Sequence, residues 1–209
     1  MGRPSVAVER RRQILEAAIR CIAAKGLAGT TLDGIAEEAG MARGHVRHFA
    51  GNRDDVLLGA AMLLYFDAVP EPGSADPTAA NGSSFLPAET TDLGAALDYL
   101  FGEFSEPGPE NIAALAFLDA ARTNPQIHRI VAHAYLSSQQ ELSALLRAEH
   151  PTAKREASDG VAYGVLVIAL GNVFMGDVDL SAQRTRSARE SAEILIRSLG
   201  SGRPKGVIG

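Results

Sequence analysis

Between positions 43 and 48 the chain places Arg43, Gly44, His45, Arg47 and His48 around a single apolar residue, Val46, with no carboxylate among them. Arg and His side chains donate hydrogen bonds to base edges and phosphate oxygens, and an Arg fork fits them in pairs. Gly44 leaves room for close backbone approach. Val46, with Met41 and Phe49 at helical intervals, faces the other way. The chemistry on offer is non-covalent recognition of a polyanion. No nucleophile–base pattern, phosphate-cradling loop or paired-carboxylate motif appears, so the chain does not read as an enzyme and calls for no cofactor and no metal. The competing reading is a plain helical hairpin with a solvated basic face.

Three short elements must hold that segment in place. From Glu9 an amphipathic helix runs to Lys25-Gly26, with Ile14, Ala18 and Cys21 or Ile22 on one face. Thr30 or Thr31 offers the N-cap of a second helix whose inner stripe is Leu32, Ile35, Ala36 and Ala39. Ala36 is small enough for a close crossing, and Gly40 tolerates the turn that follows. A third helix covers about 43–49 and ends at Gly51-Asn52. Asp54-Asp55 then suits the first turn of a fourth, running to about Ala68. Arg53, beside that helix start, is unfavourable to its dipole but useful against a phosphate.

Beyond this, residues 69–92 are dense in Pro, Gly and Ser and predict a long loop. Helical patterning resumes over about 93–104, 109–122, 125–149, 152–176 and 181–199. The expected architecture is all-α with about nine helices, no repeat and no alternating strand pattern. The boundaries are a domain at 1–54, a second at 55–200 and a flexible tail at 201–209.

Bulk properties constrain the class. The 209 residues carry a net charge of −5, which argues against a general nucleic-acid binder. The distribution is uneven: residues 1–60 hold nine basic against seven acidic side chains, the remainder eleven against eighteen. A mildly basic head on an acidic body is compatible with nucleic-acid contact through the head alone. One cysteine, Cys21, cannot form an internal disulfide, and its place on the apolar face reads as a structural thiol. The first residues lack the apolar stretch of a signal peptide, and the run 161–175 is shorter than a membrane span needs. These features predict a cytoplasmic protein with no membrane partner.

The segment RQILEAAIRCIAAKGLAGTTLDGIAEEAGMARGHVRHFAGNRDDVLLGA resembles the N-terminal domain of the TetR family of bacterial regulators without a gap. The resemblance covers about a quarter of the chain. It implies an N-terminal three-helix helix-turn-helix domain and a C-terminal helical ligand-binding and dimerisation domain. It also implies a homodimer on a palindromic double-stranded DNA operator, usually a repressor, released by an unknown small-molecule effector. Arg43 and Gly44 match positions that approach base edges, with His45 beside them. Thr31 matches a capping residue that touches phosphate, and Arg47, His48 and Arg53 match backbone contacts. Two residues depart from the pattern: Ala42 stands where a Ser or Thr cap is usual, and Ala50 where a core Phe is usual. Those departures keep open a helical small-molecule-binding or enzymatic protein whose DNA-binding module has lost its function.

Other residues carry open alternatives. Arg10-Arg11-Arg12, with Arg3, form either a basic arm for DNA or a solvated helix start. His128, His133 and His150 lack metal-ligand spacing. Small residues recur at Ala157, Gly160, Gly164, Ile168 and Gly171; with Ala188, Ala192, Leu195 and Leu199 they suggest a helix-pair interface, either between subunits or internal. Tyr65, Phe66, Tyr99, Phe117, Tyr135, Tyr163, Asn172 and Phe174 are candidate linings of an effector pocket. Asn172, polar within an apolar run, needs a partner, either an effector or a group of the chain itself.

Overall fold

The computed structural model describes residues 6–80 and 86–200. The expected tail at 201–209 and Arg3 lie outside the described residues, as do the first residues of the expected arm and part of the 69–92 loop. Among the described residues there are nine α-helices and no strand. They are α1 Val6–Gly29, α2 Leu32–Glu38, α3 Arg43–Ala50, α4 Arg53–Phe66, α5 Leu93–Leu100, α6 Pro109–Ala120, α7 Pro125–Glu149, α8 Arg155–Val178 and α9 Ala182–Arg197. Short 3₁₀ turns lie at Pro77–Ala79 and Glu103–Ser105.

The helices form two compact units that α7 joins by running from one into the other. The first comprises residues 1–85 and 108–136, the second 86–107 and 137–209. The expected boundary at 54/55 does not coincide with this division, because α1 packs on both α4 and α6. Ile14, Leu15, Ala18 and Ile22 of α1 are buried with Val56 and Ala60 of α4, Phe117 of α6 and Ile130 of α7 in one core. The helices past residue 54 are thus part of the platform that carries the head.

Local chemistry sets the turns of the first unit. Helical geometry in α1 breaks at Gly26, with φ 68°. The two threonines divide the work there: Thr30 Oγ1 donates to the Gly26 carbonyl at 2.8 Å, while Thr31 caps α2 by accepting from the Gly34 amide at 3.1 Å. Gly40 takes φ 63°, and the Met41 amide then returns to the Ala36 carbonyl at 2.9 Å. Gly51, at φ 86°, is required twice over, since a Cβ there would sit 2.4 Å from an Asp55 carboxylate oxygen. Asn52 and Asp55 close a capping box on α4.

In the second unit α8 packs on α9; Ala162, Val165, Leu166, Ala169 and Val173 are buried on α8, and Ala192 and Ile196 on α9. Arg189 of α9 bonds Asp98 of α5 at 2.6 Å and Glu193 at 3.2 Å. Gln139 and Ser143 of α7 bond the Asp159 carbonyl and carboxylate at 3.1 and 2.5 Å.

Candidate nucleic-acid interface

Two turns of helix decide what α3 offers. Val46 and Ala50 are buried and seat it on the core. Arg43, Gly44, His45, Arg47 and His48 are all exposed. A Cβ on Gly44 would meet nothing within 4 Å, so the glycine leaves a flat site on the outer face. Asp33, in the first turn of α2, holds Arg43 at 2.9 Å, with both side chains solvated. That contact orients the guanidinium without burying it. The surface can make hydrogen bonds to base edges and phosphates and carries no acid on α3 itself.

Ala42 occupies the N-cap position of α3 and makes no side-chain cap bond. Phe49 is half-buried and meets His48 edge-on, with ring centroids 4.9 Å apart. Ala50 borders a cavity of about 120 Å³ whose walls include Arg11, Leu15, Leu58, Gly59 and Glu71. Phe49 packs against the core without lining that cavity.

Several cations of the head face inward or are paired. Arg53 donates Nε to the Thr30 carbonyl at 2.7 Å and Nη2 to the Leu27 carbonyl at 2.5 Å. It therefore caps the end of α1 and braces the turn into α2, a role that sequence spacing could not show. Arg11 is buried and bonds Glu71 and the Phe49 carbonyl. Arg12 pairs with Asp67 and Arg20 with Glu38, both at 2.6 Å. Arg10 bonds Gln13 at 3.1 Å. Arg11 and Arg12 are thus tied to residues beyond α4, whereas Arg10 is exposed and bonds within its own helix.

The candidate effector linings divide between the units. Tyr65, Phe66, Phe117 and Tyr135 fall in the first. The Tyr65 ring lies 6.5 Å from Phe117 and 6.1 Å from Tyr135, and its hydroxyl donates to the Ala114 carbonyl at 3.3 Å. Burial, and then the neighbouring Tyr135, pushes the Tyr65 hydroxyl far above its ordinary range; burial also raises Tyr135. Phe66 meets His133 at 5.8 Å, a neighbour that the sequence reading missed although His133 lies two positions before Tyr135. Tyr99, Tyr163, Asn172 and Phe174 fall in the second unit. Tyr99 packs on Phe104 at 5.8 Å. Tyr163 is 61% exposed and lines no interior. Asn172 finds its partner within the chain, donating to Thr185 of α9 at 3.3 Å.

The small-residue stripe also resolves into distinct parts. Gly164 admits Leu195, whose Cδ1 would lie 3.1 Å from an added Cβ, and Ala192 is fully buried. These two serve the α8–α9 contact inside the chain. Gly160 is exposed; Ile168, Gly171, Ala188 and Leu199 are half-buried. The outer faces carry Tyr163, Val167, Met175 and Val178 on α8 and Ile194 on α9, all exposed. By length and composition the whole of α8 is apolar enough to cross a membrane, and 28% of its apolar window is buried.

Cys21 is buried with its thiol against the Gly34 carbonyl at 3.6 Å, and desolvation raises its pKa. Both observations fit a structural, unreactive thiol. His128, His133 and His150 do not join others: among the described residues no three His, Cys, Asp or Glu side chains group as an ion site.

Comparison with known proteins gives a consistent picture. Residues 14–60 match the family model described as bacterial regulatory proteins, tetR family. The chain is 29% identical over 164 residues to the HTH-type transcriptional regulator BetI of Brucella anthropi, covering 77% of this chain and 79% of that one. A TetR family transcriptional regulator from Cytophaga hutchinsonii superposes with a TM-score of 0.69 at 16% identity, over 95% of this chain and 98% of the other. A transcriptional regulator from Saccharomonospora viridis, solved in complex with choline, gives 0.65 at 20% identity, over 90% and 96%. At these identities the structural likeness speaks to the fold.

Proposed function

The chain belongs to the TetR family of bacterial regulatory proteins, and from that premise we propose that it works as a homodimeric repressor, released from a palindromic operator by a small molecule. It is a transcriptional regulator with a DNA-binding helix-turn-helix, and the relatives it matches have this non-catalytic role. The observation that carries the DNA half is α3: apolar anchors at Val46 and Ala50, donors at Arg43, His45, Arg47 and His48, and an open Gly44 between them. A helix so equipped suits the major groove.

Arg43, Gly44 and His45 would read base edges, and Arg47, His48 and Thr31 would hold the phosphate backbone. Arg53 supports that contact from within, by bracing the turn that presents Thr31. The uncovered apolar faces of α8 and α9 support a homodimer, because a second copy would remove Val167, Met175 and Ile194 from water. A dimer built on α8 also accounts for its apolar length in a cytoplasmic protein. The likeness to a choline-bound structure, together with the clustered rings of Tyr65, Phe117 and Tyr135, supports a compact cationic effector. Choline is the first probe to try.

The test is selection from a random duplex pool, followed by binding measurements on the selected and unrelated duplexes. A symmetric site with two half-sites is expected, with affinity falling steeply as salt rises. Arg43→Ala should lose about tenfold or more in preference for the selected duplex, the scale of one good base contact. Binding indifferent to salt and sequence would contradict the reading.

A further inference from the structure

Arg11 is the most deeply placed charge of the first unit, its side chain only 6% exposed. It touches two segments that the chain connects only remotely. Nε donates to the Phe49 carbonyl at 2.9 Å, and Nη1 and Nη2 fork onto the Glu71 carboxylate at 3.0 and 2.5 Å. Phe49 is the next-to-last residue of α3, where helix carbonyls lack a partner within the helix. A cation there is favoured by the helix dipole. Since α3 has no side-chain cap at its other end, Arg11 is the long-range polar tie on its C-terminal turn.

Glu71 belongs to the segment that leaves α4. Asp67 turns that segment with φ 49°, and Arg12 holds the Asp67 carboxylate at 2.6 Å. Ser74 folds it around Glu71, bonding the Glu71 carbonyl through its amide at 3.0 Å and its hydroxyl at 2.7 Å. The Glu71 carboxylate is thereby presented to Arg11 while remaining 70% exposed. Arg11 and Glu71 line the same cavity as Ala50, together with Leu15 and Leu58. Val46 and Ala50 seat α3 on the core, and the guanidinium adds a polar constraint at its last turn.

We propose that Arg11 is a positioning residue for DNA recognition: through the Phe49 carbonyl it fixes the C-terminal end of α3, and Glu71 fixes the aim of its guanidinium. This rests on the DNA-binding reading of α3. Arg11 acts on base readout from inside the fold, not as part of a basic arm on DNA.

The experiment uses the full-length chain with R11K and E71Q. Lys keeps the charge but has no fork to hold two partners at once. Gln keeps the size but takes the counter-charge from a guanidinium that is only 6% exposed, so the stability of both variants is measured alongside and binding is compared below their melting transitions. The readouts are affinity for a duplex selected by the wild type, affinity for an unrelated duplex of equal length, the salt slope, and amide hydrogen exchange in the last turn of α3. The preference for the selected duplex should fall about tenfold in R11K and several-fold in E71Q, the range of a charge-assisted hydrogen bond. The salt slope should hold, because no phosphate contact is removed, and exchange should quicken at residues 47–51. Unchanged preference in both variants, whatever happens to their melting temperatures, would overturn the proposal. So would equal loss on both duplexes with a shallower salt slope, which would place Arg11 on the DNA backbone. A wild type without preference for any duplex would instead remove the DNA-binding reading itself, and this inference with it.

Discussion

The outer face of α3 and the outer faces of α8 and α9 are both exposed, yet they are built on opposite plans. On α3 the exposed positions are donors and a glycine, while apolar residues point inward. On α8 apolar residues point both ways: Val165, Leu166 and Val173 are buried, and Val167, Met175 and Val178 are not. A helix apolar all round belongs in a core or a membrane, or against a partner. The difference fits the proposed partners: a wet, charged surface for α3, and an apolar one for α8.

Substitutions that exchange the two plans should have the largest effects. Val46→Asp places a charge where α3 is fully buried, and should cost about 3–5 kcal/mol, enough to unfold the head. Loss of the cooperative thermal transition of the first unit would register it. Val167→Glu places a charge on the exposed apolar face and should leave helicity intact while splitting the proposed dimer. Dissociation by at least tenfold in sedimentation equilibrium is expected, since each contact occurs twice in a symmetric pair. A variant that unfolds instead would mean that Val167 serves the internal core.

Smaller effects sharpen the picture of the head. Arg53→Met removes two bonds to the Leu27 and Thr30 carbonyls, and should destabilise by about 1–3 kcal/mol in denaturant titration. If stability is unchanged and affinity falls on all duplexes alike, Arg53 is a phosphate contact after all. Ala42→Ser supplies the missing cap at a residue whose φ of −69° and ψ of 141° already suit one, and should stabilise by about 0.5–1 kcal/mol. No gain would mean that the loop geometry there cannot admit a capping side chain.

Much of the head was legible because its signals are local. The period of Ile14, Ala18 and Ile22, the cap at Thr31, the turn at Gly40 and the stop at Gly51 each depend on residues a few positions apart. The same holds for Pro109 and Pro125, which open α6 and α7 where the sequence indicates. What could not be read depends on distant partners. Arg53 meets carbonyls 23 and 26 positions earlier, and Arg11 meets groups 38 and 60 positions later. Both looked like surface cations because charge alone does not show where a guanidinium points. The aromatic candidates divide in the same way: Tyr65 packs with Phe117 and Tyr135 in one unit, while Tyr163 is exposed in the other. Composition finds aromatics, but only packing shows which of them meet.

The central claim is that α3 reads DNA, and the most direct measurement is binding of the full-length protein to duplexes drawn from a random pool, repeated across salt concentrations. Enrichment of a two-fold symmetric site is expected, with binding that weakens steeply with salt and selective loss of that preference in Arg43→Ala. Recovery of random sequences only, or affinity that ignores salt, would contradict it.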